Sequence, residues 1–301
     1  MQVGFAVATL LGLISTTTPG SAAPITFVAS NGSDANPCTR ALPCASFFGA
    51  GGVTDPGGIL NCLDSGPYGG NVLFSKSITI DCPGGIYRPN FTGVSEGSGV
   101  LRIRGLTILG NGAASGSAGL LAGSGATLIV ENCIIEQFTG AGISIQQGAF
   151  VDVTDTAIIN NQSTGISVTT TGSGSGRVVL TRVLLQNNNN GAILRAASSA
   201  DQHVSIEDST ISGNAGYGVY NIATGSARSI AVIKRSVIAD NGASGIRVEN
   251  VNGLTFLSKN TVTGNNIGLE SVAGGGVVSY GDNNVNLNTT NGAPTGVATE
   301  Q

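Results

Sequence analysis

The side chains best suited to chemistry in this sequence follow glycines that recur every 23 to 27 residues. Two or four positions after such a glycine lie Arg195, Tyr220, Arg247, Glu249 and Glu270, which we call the candidate face. Two carboxylates beside an arginine and an aromatic ring can bind a sugar chain, or act as acid and base in its hydrolysis. The alternative is a stabilising ladder in which Arg247 pairs with Glu270 and Tyr220 packs beside them.

The other reactive side chains stand alone. The one histidine, His203, is predicted in a solvated turn before a strand at residues 204–206. Cys133 lies in a repeat position where other repeats carry polar residues such as Ser209, and we expect an inert thiol, because a nucleophilic cysteine needs a nearby base. No His and Cys residues have the spacing of metal ligands. We therefore predict no metal and no cofactor, and the catalytic residues, if any, stay unidentified.

The composition argues against a nucleic-acid-binding protein. Only 10% of the residues are charged, the net charge is −4, and the basic residues form no stripe. Aromatic residues make up 5% and tryptophan is absent, whereas glycine numbers 47. A chain rich in Ile, Val, Gly, Asn, Ser and Thr predicts short strands joined by tight corners.

Asparagine recurs at one corner of a sequence repeat. Aliphatic residues lie three and eight positions before it, as Ile158 and Val153 precede Asn161 and as Leu184 and Val179 precede Asn187. A period of 23 to 27 residues with three short strands is typical of a solenoid, whose stacked repeats share one core. Helical repeats are excluded because the segments are β-branched and interrupted by glycine, and leucine-rich repeats because the leucine spacing is absent. The predicted asparagine column consists of Asn111, Asn161, Asn187, Asn214, Asn241 and Asn265.

Stacking places equivalent residues of successive coils about 4.8 Å apart. The corner asparagines are therefore predicted to form a buried ladder of amide hydrogen bonds, and to tolerate the left-handed backbone that a corner needs. Opposite charges also stack on the outside, and we interpret those pairs as stabilisers and not as a site. The pairs are Arg104 with Glu131, Glu207 with Lys234, and Asp208 with Arg235.

The chain divides into four predicted segments. Residues 1–22 have the apolar run and small-residue cleavage pattern of a secretory signal, so we expect a secreted or periplasmic monomer without membrane attachment after cleavage. Residues 23–100 are predicted to form an N-terminal cap and the first coils, 101–288 the β-helix, and 289–301 a flexible tail. Within the cap, a short helix around residues 45–50 would place Phe47 and Phe48 over the open end of the stack.

The five cysteines predict two disulfide bonds in an oxidising compartment. Cys38 and Cys44 close a short loop, and Cys62 and Cys82 lie on successive strand-like segments 20 residues apart. We favour these two pairs, which leave Cys133 free.

Repeats such as IEDSTISGNAGYGVY and IKRSVIADNGASGIRV resemble the right-handed parallel β-helix repeat of the pectin-lyase-like superfamily. The resemblance covers about residues 101–272 and implies an all-β fold, a single right-handed parallel β-helix with a short N-terminal cap. The segment FVASNGSDANPCTRALPCASF resembles the N-terminal region of secreted bacterial β-helix proteins of unassigned function.

This resemblance implies no single activity, because the fold carries lyases, hydrolases, epimerases, adhesins and phage tailspikes. Pectate lyases of the superfamily hold Ca²⁺ on a column of acidic residues and use an arginine as base. Polygalacturonases carry Asn-Thr-Asp, Asp-Asp, Gly-His-Gly and Arg-Ile-Lys motifs, and none of these four occurs here.

Three hypotheses on function follow. The first, which we favour, is a secreted β-helix protein that is structural or binds polysaccharide weakly without turnover. The second is a polysaccharide lyase or glycoside hydrolase with a non-standard site on the candidate face. The third is a surface adhesin made for protein contact.

Overall fold

A computed structural model describes residues 23–89, 92–94, 99–110 and 118–298. The predicted signal, residues 1–22, and the first predicted rung, Asn111, lie outside the described residues. The described part contains one helix, α1, Phe47–Val53. Its strands are β1 Ala23–Val28, β2 Thr54–Cys62, β3 Tyr68–Gly69, β4 Val72–Phe74, β5 Ile78–Arg88, β6 Thr92–Val94, β7 Val100–Leu109, β8 Leu120–Ala122, β9 Thr127–Glu131, β10 Ile134–Glu136, β11 Ile143–Ile145, β12 Phe150–Thr154, β13 Ala157–Ile159, β14 Thr164–Thr170, β15 Ser175–Thr181, β16 Leu184–Gln186, β17 Asn190–Ala196, β18 Asp201–Glu207, β19 Thr210–Ser212, β20 Val219–Ala223, β21 Arg228–Lys234, β22 Val237–Ala239, β23 Ser244–Glu249, β24 Gly253–Ser258, β25 Thr261–Thr263, β26 Ile267–Val272, β27 Gly276–Ser279, β28 Asn284–Asn286 and β29 Gly296–Val297.

The strands form a right-handed parallel β-helix, as predicted. One coil runs through β12, β13 and β14, and each of these strands pairs in parallel with its equivalent in the next coil, β15, β16 and β17. Within the described residues, 20 strands form one sheet and nine form the other. The smaller sheet consists of β4, β6, β8, β11, β14, β17, β20, β23 and β26.

Alternating side chains of each strand fill the interior. Val151, Val153, Ile158, Ile166 and Val168 of one coil are all buried completely. Each buried aliphatic side chain of this size stabilises the fold by about 1.5–3 kcal/mol. Because no coil can bury these side chains alone, the core is continuous from coil to coil.

The core assignment of the next coil is wrong by one residue. Leu180 and Leu185 are buried, whereas Val179 and Leu184 point outward and are partly exposed. Residues 187–190 are all asparagine, so the sequence does not identify which of them occupies the corner.

The asparagine column is a buried ladder of hydrogen bonds. Asn214 shows the pattern, since its Nδ2 donates to Asn241 Oδ1 at 2.9 Å and to the Leu185 carbonyl at 3.2 Å. The same Asn241 Oδ1 also accepts the Asn214 main-chain N–H at 3.2 Å. Asn187 is not a rung, because it is exposed and its neighbour Asn188 takes that place. The rungs are Asn161, Asn188, Asn214, Asn241, Asn265 and Asn288.

The left-handed backbone at this corner belongs to the residue before each rung. Asn160, Asn187 and Asp240 have φ values of 56°, 55° and 56°. Asparagine and aspartate are enriched in this conformation. The conformational tolerance that we predicted for the rungs is therefore needed one position earlier.

The recurring glycines are required by the close approach of neighbouring coils. A Cβ at Gly218 would lie 2.5 Å from the Gly245 carbonyl oxygen and 2.9 Å from Asn241 Nδ2. Any larger residue there would push two coils apart next to the asparagine ladder.

A second column of corner hydrogen bonds contains Cys133. The Ser209 N–H donates to Ser236 Oγ at 3.2 Å, and the Cys133 N–H donates to Thr156 Oγ1 at 3.2 Å. Cys133 is free and only 2% exposed, and burial raises the pKa of its thiol to about 11. A thiol held protonated in this way is unreactive at neutral pH.

The N-terminal segment extends the same sheet as the β-helix, since β1 pairs with β2 and β2 with β5. Helix α1 begins at the N-cap Ser46, whose side chain accepts a hydrogen bond from the Gly49 N–H. Phe47 is buried against the rings of Tyr68 and Tyr87, at centroid distances of 5.1 and 4.7 Å. Phe48 is 72% exposed, so only Phe47 of the two phenylalanines packs into the core.

Both predicted disulfide bonds are present, Cys38–Cys44 and Cys62–Cys82. The first closes the loop between β1 and α1, and the second joins β2 to β5. The second bond therefore links two strands that also pair in parallel.

We predicted a flexible tail from residue 289, and the described residues 289–298 form main-chain hydrogen bonds with the last coil. Strand β29 pairs in parallel with β27, and the Gly268 N–H donates to the Thr290 carbonyl at 2.7 Å. The Leu269 N–H likewise donates to the Asn291 carbonyl at 2.9 Å. This segment therefore satisfies main-chain groups that the last coil would otherwise expose.

Replacing a rung of the asparagine ladder should lower the free energy of unfolding more than replacing a neighbouring asparagine. We expect Asn214→Leu to lower the free energy of unfolding by about 1–3 kcal/mol, because buried main-chain and amide groups lose their partners. Asn189→Leu is the control, since Asn189 is exposed and lies outside the ladder. Urea unfolding followed by circular dichroism measures both. Equal stabilities of the two variants would contradict the stabilising role of the ladder.

Removing residues 289–301 should make the protein associate. The truncation uncovers the edges of β26 and β27, and unpaired strand edges template pairing with other chains. Light scattering after size exclusion should show oligomers of the truncated chain. Deletion of residues 299–301 alone should leave the oligomeric state of the parent protein unchanged. A truncated chain with the mass of the parent would show that the segment does not protect the edges.

Candidate functional site

Three neighbouring strands of the smaller sheet, β20, β23 and β26, position most of the candidate face. Tyr220 is in register with Arg247, and Arg247 with Glu270. Glu249 lies two residues beyond Arg247 on the same strand. Parallel pairing of equivalent positions therefore brings these four residues onto one patch of the outer surface, although Tyr220 and Glu270 are 50 positions apart in sequence.

Arg247 is the centre of this patch. Its Nη2 lies 2.9 Å from Glu249 Oε2, and its Nη1 lies 2.8 Å from Glu270 Oε1. The Tyr220 hydroxyl donates to Glu249 Oε2 at 2.7 Å. Ser244, at the start of β23, donates to the other oxygen of Glu270. The side chains of Arg247, Glu249 and Glu270 are 19%, 23% and 22% exposed, so the pairs are partly shielded from water.

Tyr217 belongs to the patch and is absent from the prediction. Its ring lies 5.0 Å from that of Tyr220, and the Arg247 guanidinium lies 5.6 Å from the first ring centre and 5.5 Å from the second. Such cation–π contacts stabilise by about 0.5–1 kcal/mol at exposed sites. The sequence signal was available, because Tyr217 directly precedes the recurring Gly218. We call Tyr217, Tyr220, Arg247, Glu249 and Glu270 the Tyr–Arg–Glu cluster.

The contacts within the cluster set its charge. Hydrogen bonds from Tyr220 and Arg247 lower the pKa of Glu249 below its ordinary value. Partial burial opposes the charge of Arg247, but the hydrogen bonds to Glu249 and Glu270 outweigh it and raise the pKa of that guanidinium. Burial and the hydrogen bond to Glu249 raise the pKa of Tyr220. At neutral pH the cluster therefore holds an ionised Glu249, a charged Arg247 and a neutral Tyr220.

Arg195 does not join the cluster. It is exposed on β17, in register with Ile222, and forms no ion pair within the described residues. His203 is also exposed, but it lies within β18 of the larger sheet and not in a turn, with its Nε2 at 3.4 Å from Asp201 Oδ2. The two residues thus lie on different sheets.

The predicted outer charge pairs form with one change of partner. Arg104 Nε lies 2.6 Å from Glu131, and Arg235 Nε lies 2.8 Å from Asp208. Glu207 is in register with Lys234, but its ion pair is with Arg235, at 3.0 Å. Solvent screens exposed pairs of this kind, so they stabilise the coils modestly at most.

In the part of the chain that the structure describes, no group of three or more His, Cys, Asp or Glu residues is arranged to hold a metal ion. The described helix is too short, and the described residues offer no other helix long and apolar enough, to cross a membrane.

Comparison with known proteins supports the fold. Residues 65–201 match the family described as "Right handed beta helix region". No curated protein sequence matches this chain significantly.

Four chains of solved structures match this chain. The crystal structure of pectate lyase Pel9A has a TM-score of 0.54 and 18% identity, and the alignment covers 82% of this chain and 76% of that one. The Dettilon tailspike protein (gp208) has a TM-score of 0.33 and 12% identity over 72% of this chain and 59% of its own. The GH136 lacto-N-biosidase from Eubacterium ramulus has a TM-score of 0.32 and 10% identity over 78% and 65%. At 18% identity, the likeness to the pectate lyase structure is one of fold alone.

The depressed pKa of Glu249 predicts a loss of stability in acid. Because the carboxylate is stabilised in the folded chain, its contribution is full above the unfolded pKa of about 4.3 and is lost as the pH falls through the lower folded pKa. We expect Glu249→Gln to narrow the difference in urea midpoint between pH 7 and pH 3. Glu136→Gln, which removes a carboxylate that has no ion pair among the described residues, should not. If both variants show the same difference in urea midpoint between pH 7 and pH 3, the coupling of Glu249 to Arg247 is contradicted.

Proposed function

We propose that this chain, a right-handed parallel β-helix protein with a pectin-lyase-like fold, binds polysaccharide on the Tyr–Arg–Glu cluster without chemical turnover. The observation that supports this proposal is the contact network of Arg247, which joins two carboxylates and two tyrosine rings on one outer patch. Aromatic rings beside hydrogen-bonding groups offer a sugar an apolar surface with polar contacts at its edge. The likeness of fold to a pectate lyase does not carry this argument.

The charge states of the cluster argue against catalysis. A glycoside hydrolase needs a carboxylic acid that stays protonated near neutral pH, which requires a raised pKa. Hydrogen bonds instead lower the pKa of Glu249. An arginine that acts as a base must lose its proton, whereas the two carboxylates raise the pKa of Arg247. Ionised Glu249 is thus a poor general acid, and charged Arg247 is a poor general base.

We place the protein outside the cytoplasm. The two disulfide bonds support this location, because such bonds persist in oxidising compartments. The described residues contain no helix suited to a membrane span. A polysaccharide ligand is available in the extracellular and periplasmic environments to which the residues 1–22 would direct the chain.

Binding should depend on the cluster. Glycan-array measurements with the purified protein should detect weak affinity for polysaccharide. Tyr220→Ala or Arg247→Ala should reduce that affinity about tenfold or more. Tyr280→Ala is the matched control, since Tyr280 follows β27 on the other sheet. Binding that survives both cluster substitutions would place the ligand elsewhere.

Incubation with uronic-acid polymers should yield no unsaturated product. Absorbance of the unsaturated ends measures lyase activity directly, with and without added Ca²⁺, and reducing-end assays measure hydrolysis. A flat trace is the expected result, since neither Arg247 nor Glu249 is poised for proton transfer. Product formation that Arg247→Lys abolishes would replace the binding function with an enzymatic one.

A further inference from the structure

The donors and acceptors of the Tyr–Arg–Glu cluster are unequally available to a ligand. All three guanidinium nitrogens of Arg247 already donate to carboxylates, Nε and Nη2 to Glu249 and Nη1 to Glu270. Both oxygens of Glu270 are occupied, one by Arg247 and the other by Ser244. A ligand that needs a free cation therefore finds the central one engaged.

Glu249, in contrast to Glu270, keeps one oxygen available to a ligand. Its Oε2 accepts from Tyr220 and Arg247, whereas its Oε1 accepts no hydrogen bond in the described part of the chain. The side chain is 23% exposed, so the free oxygen can be reached from solvent. A carboxylate oxygen in this setting accepts hydrogen bonds from hydroxyl groups.

The net charge of the Tyr–Arg–Glu cluster also disfavours an anionic ligand. One guanidinium lies against two carboxylates, which gives the cluster a formal net charge of −1. Arg195 is the nearby residue that could attract an anion, but it lies one strand beyond Tyr220 and takes no part in the cluster. Like charges brought together across an interface oppose binding.

We infer that the ligand is an uncharged glycan, whose hydroxyl groups donate to Glu249 and whose ring faces pack on Tyr217 and Tyr220. This inference rests on the proposed binding function and narrows it to one class of polysaccharide. Uronic-acid polymers are disfavoured, because each of their carboxylates would approach a patch that has no free cation at its centre.

The test compares one polymer in two charge states. Polygalacturonate and its fully methyl-esterified form share a backbone and differ in charge, and a panel of neutral glucans, xylans and galactans extends the comparison. Binding is measured by calorimetry at low salt and again at high salt. We expect the neutral polymers to bind at least about tenfold more tightly than polygalacturonate, and the gap to shrink as salt screens the repulsion.

Glu249→Gln supplies an internal check, because it removes one negative charge and keeps an oxygen that accepts hydrogen bonds. The variant should narrow the gap between the esterified and the acidic polymer, whereas Glu136→Gln should leave it unchanged. Tighter binding of polygalacturonate that Tyr220→Ala abolishes would overturn the inference and leave the proposed function standing. Absence of binding to any polymer of either class would overturn both.

Discussion

Parallel main-chain pairing between successive coils is the constraint on which the rest of this structure depends. Each strand forms its hydrogen bonds with the equivalent strand one coil away, so each side chain lies beside its own counterpart. Aliphatic residues such as Ile158 stack into a core, and oppositely charged residues such as Asp208 and Arg235 stack into pairs. The same pairing places Tyr220, Arg247 and Glu270 in one row. Core, corners and candidate site are therefore three results of a single register.

The asparagine ladder makes that register specific. A buried amide that slipped by one position would lose its partners on both neighbouring coils, and an unpaired buried polar group costs about 1–3 kcal/mol. Asn214 alone contacts Asn241 and the carbonyl of Leu185, which belong to the coils on either side of it. The ladder thus opposes the sliding that is otherwise easy for strands of similar sequence.

Much of the fold follows from the sequence, because residues that recur with one period stack on one another in successive coils. The rungs Asn161, Asn214 and Asn241 could be identified from spacing alone. Asn187 could not be told from Asn188, since the run of asparagines offers several equivalent choices and only the three-dimensional register selects one. The left-handed residue before each rung was missed for a related reason, because Asn, Asp and Gly suit both positions.

The candidate site was predicted in part. Column positions indicated that Arg247 and Glu270 would meet, because neighbouring coils pair residue by residue. Tyr217 could have been noticed beside the recurring Gly218, but its contact with Arg247 depends on how the chain turns before β20. Arg195 occupies the right column but faces Ile222, so a shared column alone does not create a contact. What the sequence could not supply was the hydrogen bonding that decides which groups of the cluster keep their charge.

We propose that this hydrogen bonding fixes the charges at the centre of the cluster, since it keeps Glu249 ionised and Arg247 protonated. The direct test is an NMR titration of the Glu249 carboxyl carbon in the intact protein, with Glu249→Gln used to assign the signal. The network with Tyr220 and Arg247 predicts a titration midpoint below the ordinary glutamate value of about 4.3. A midpoint raised toward neutral pH would contradict the account, because it would describe a general acid ready for hydrolysis.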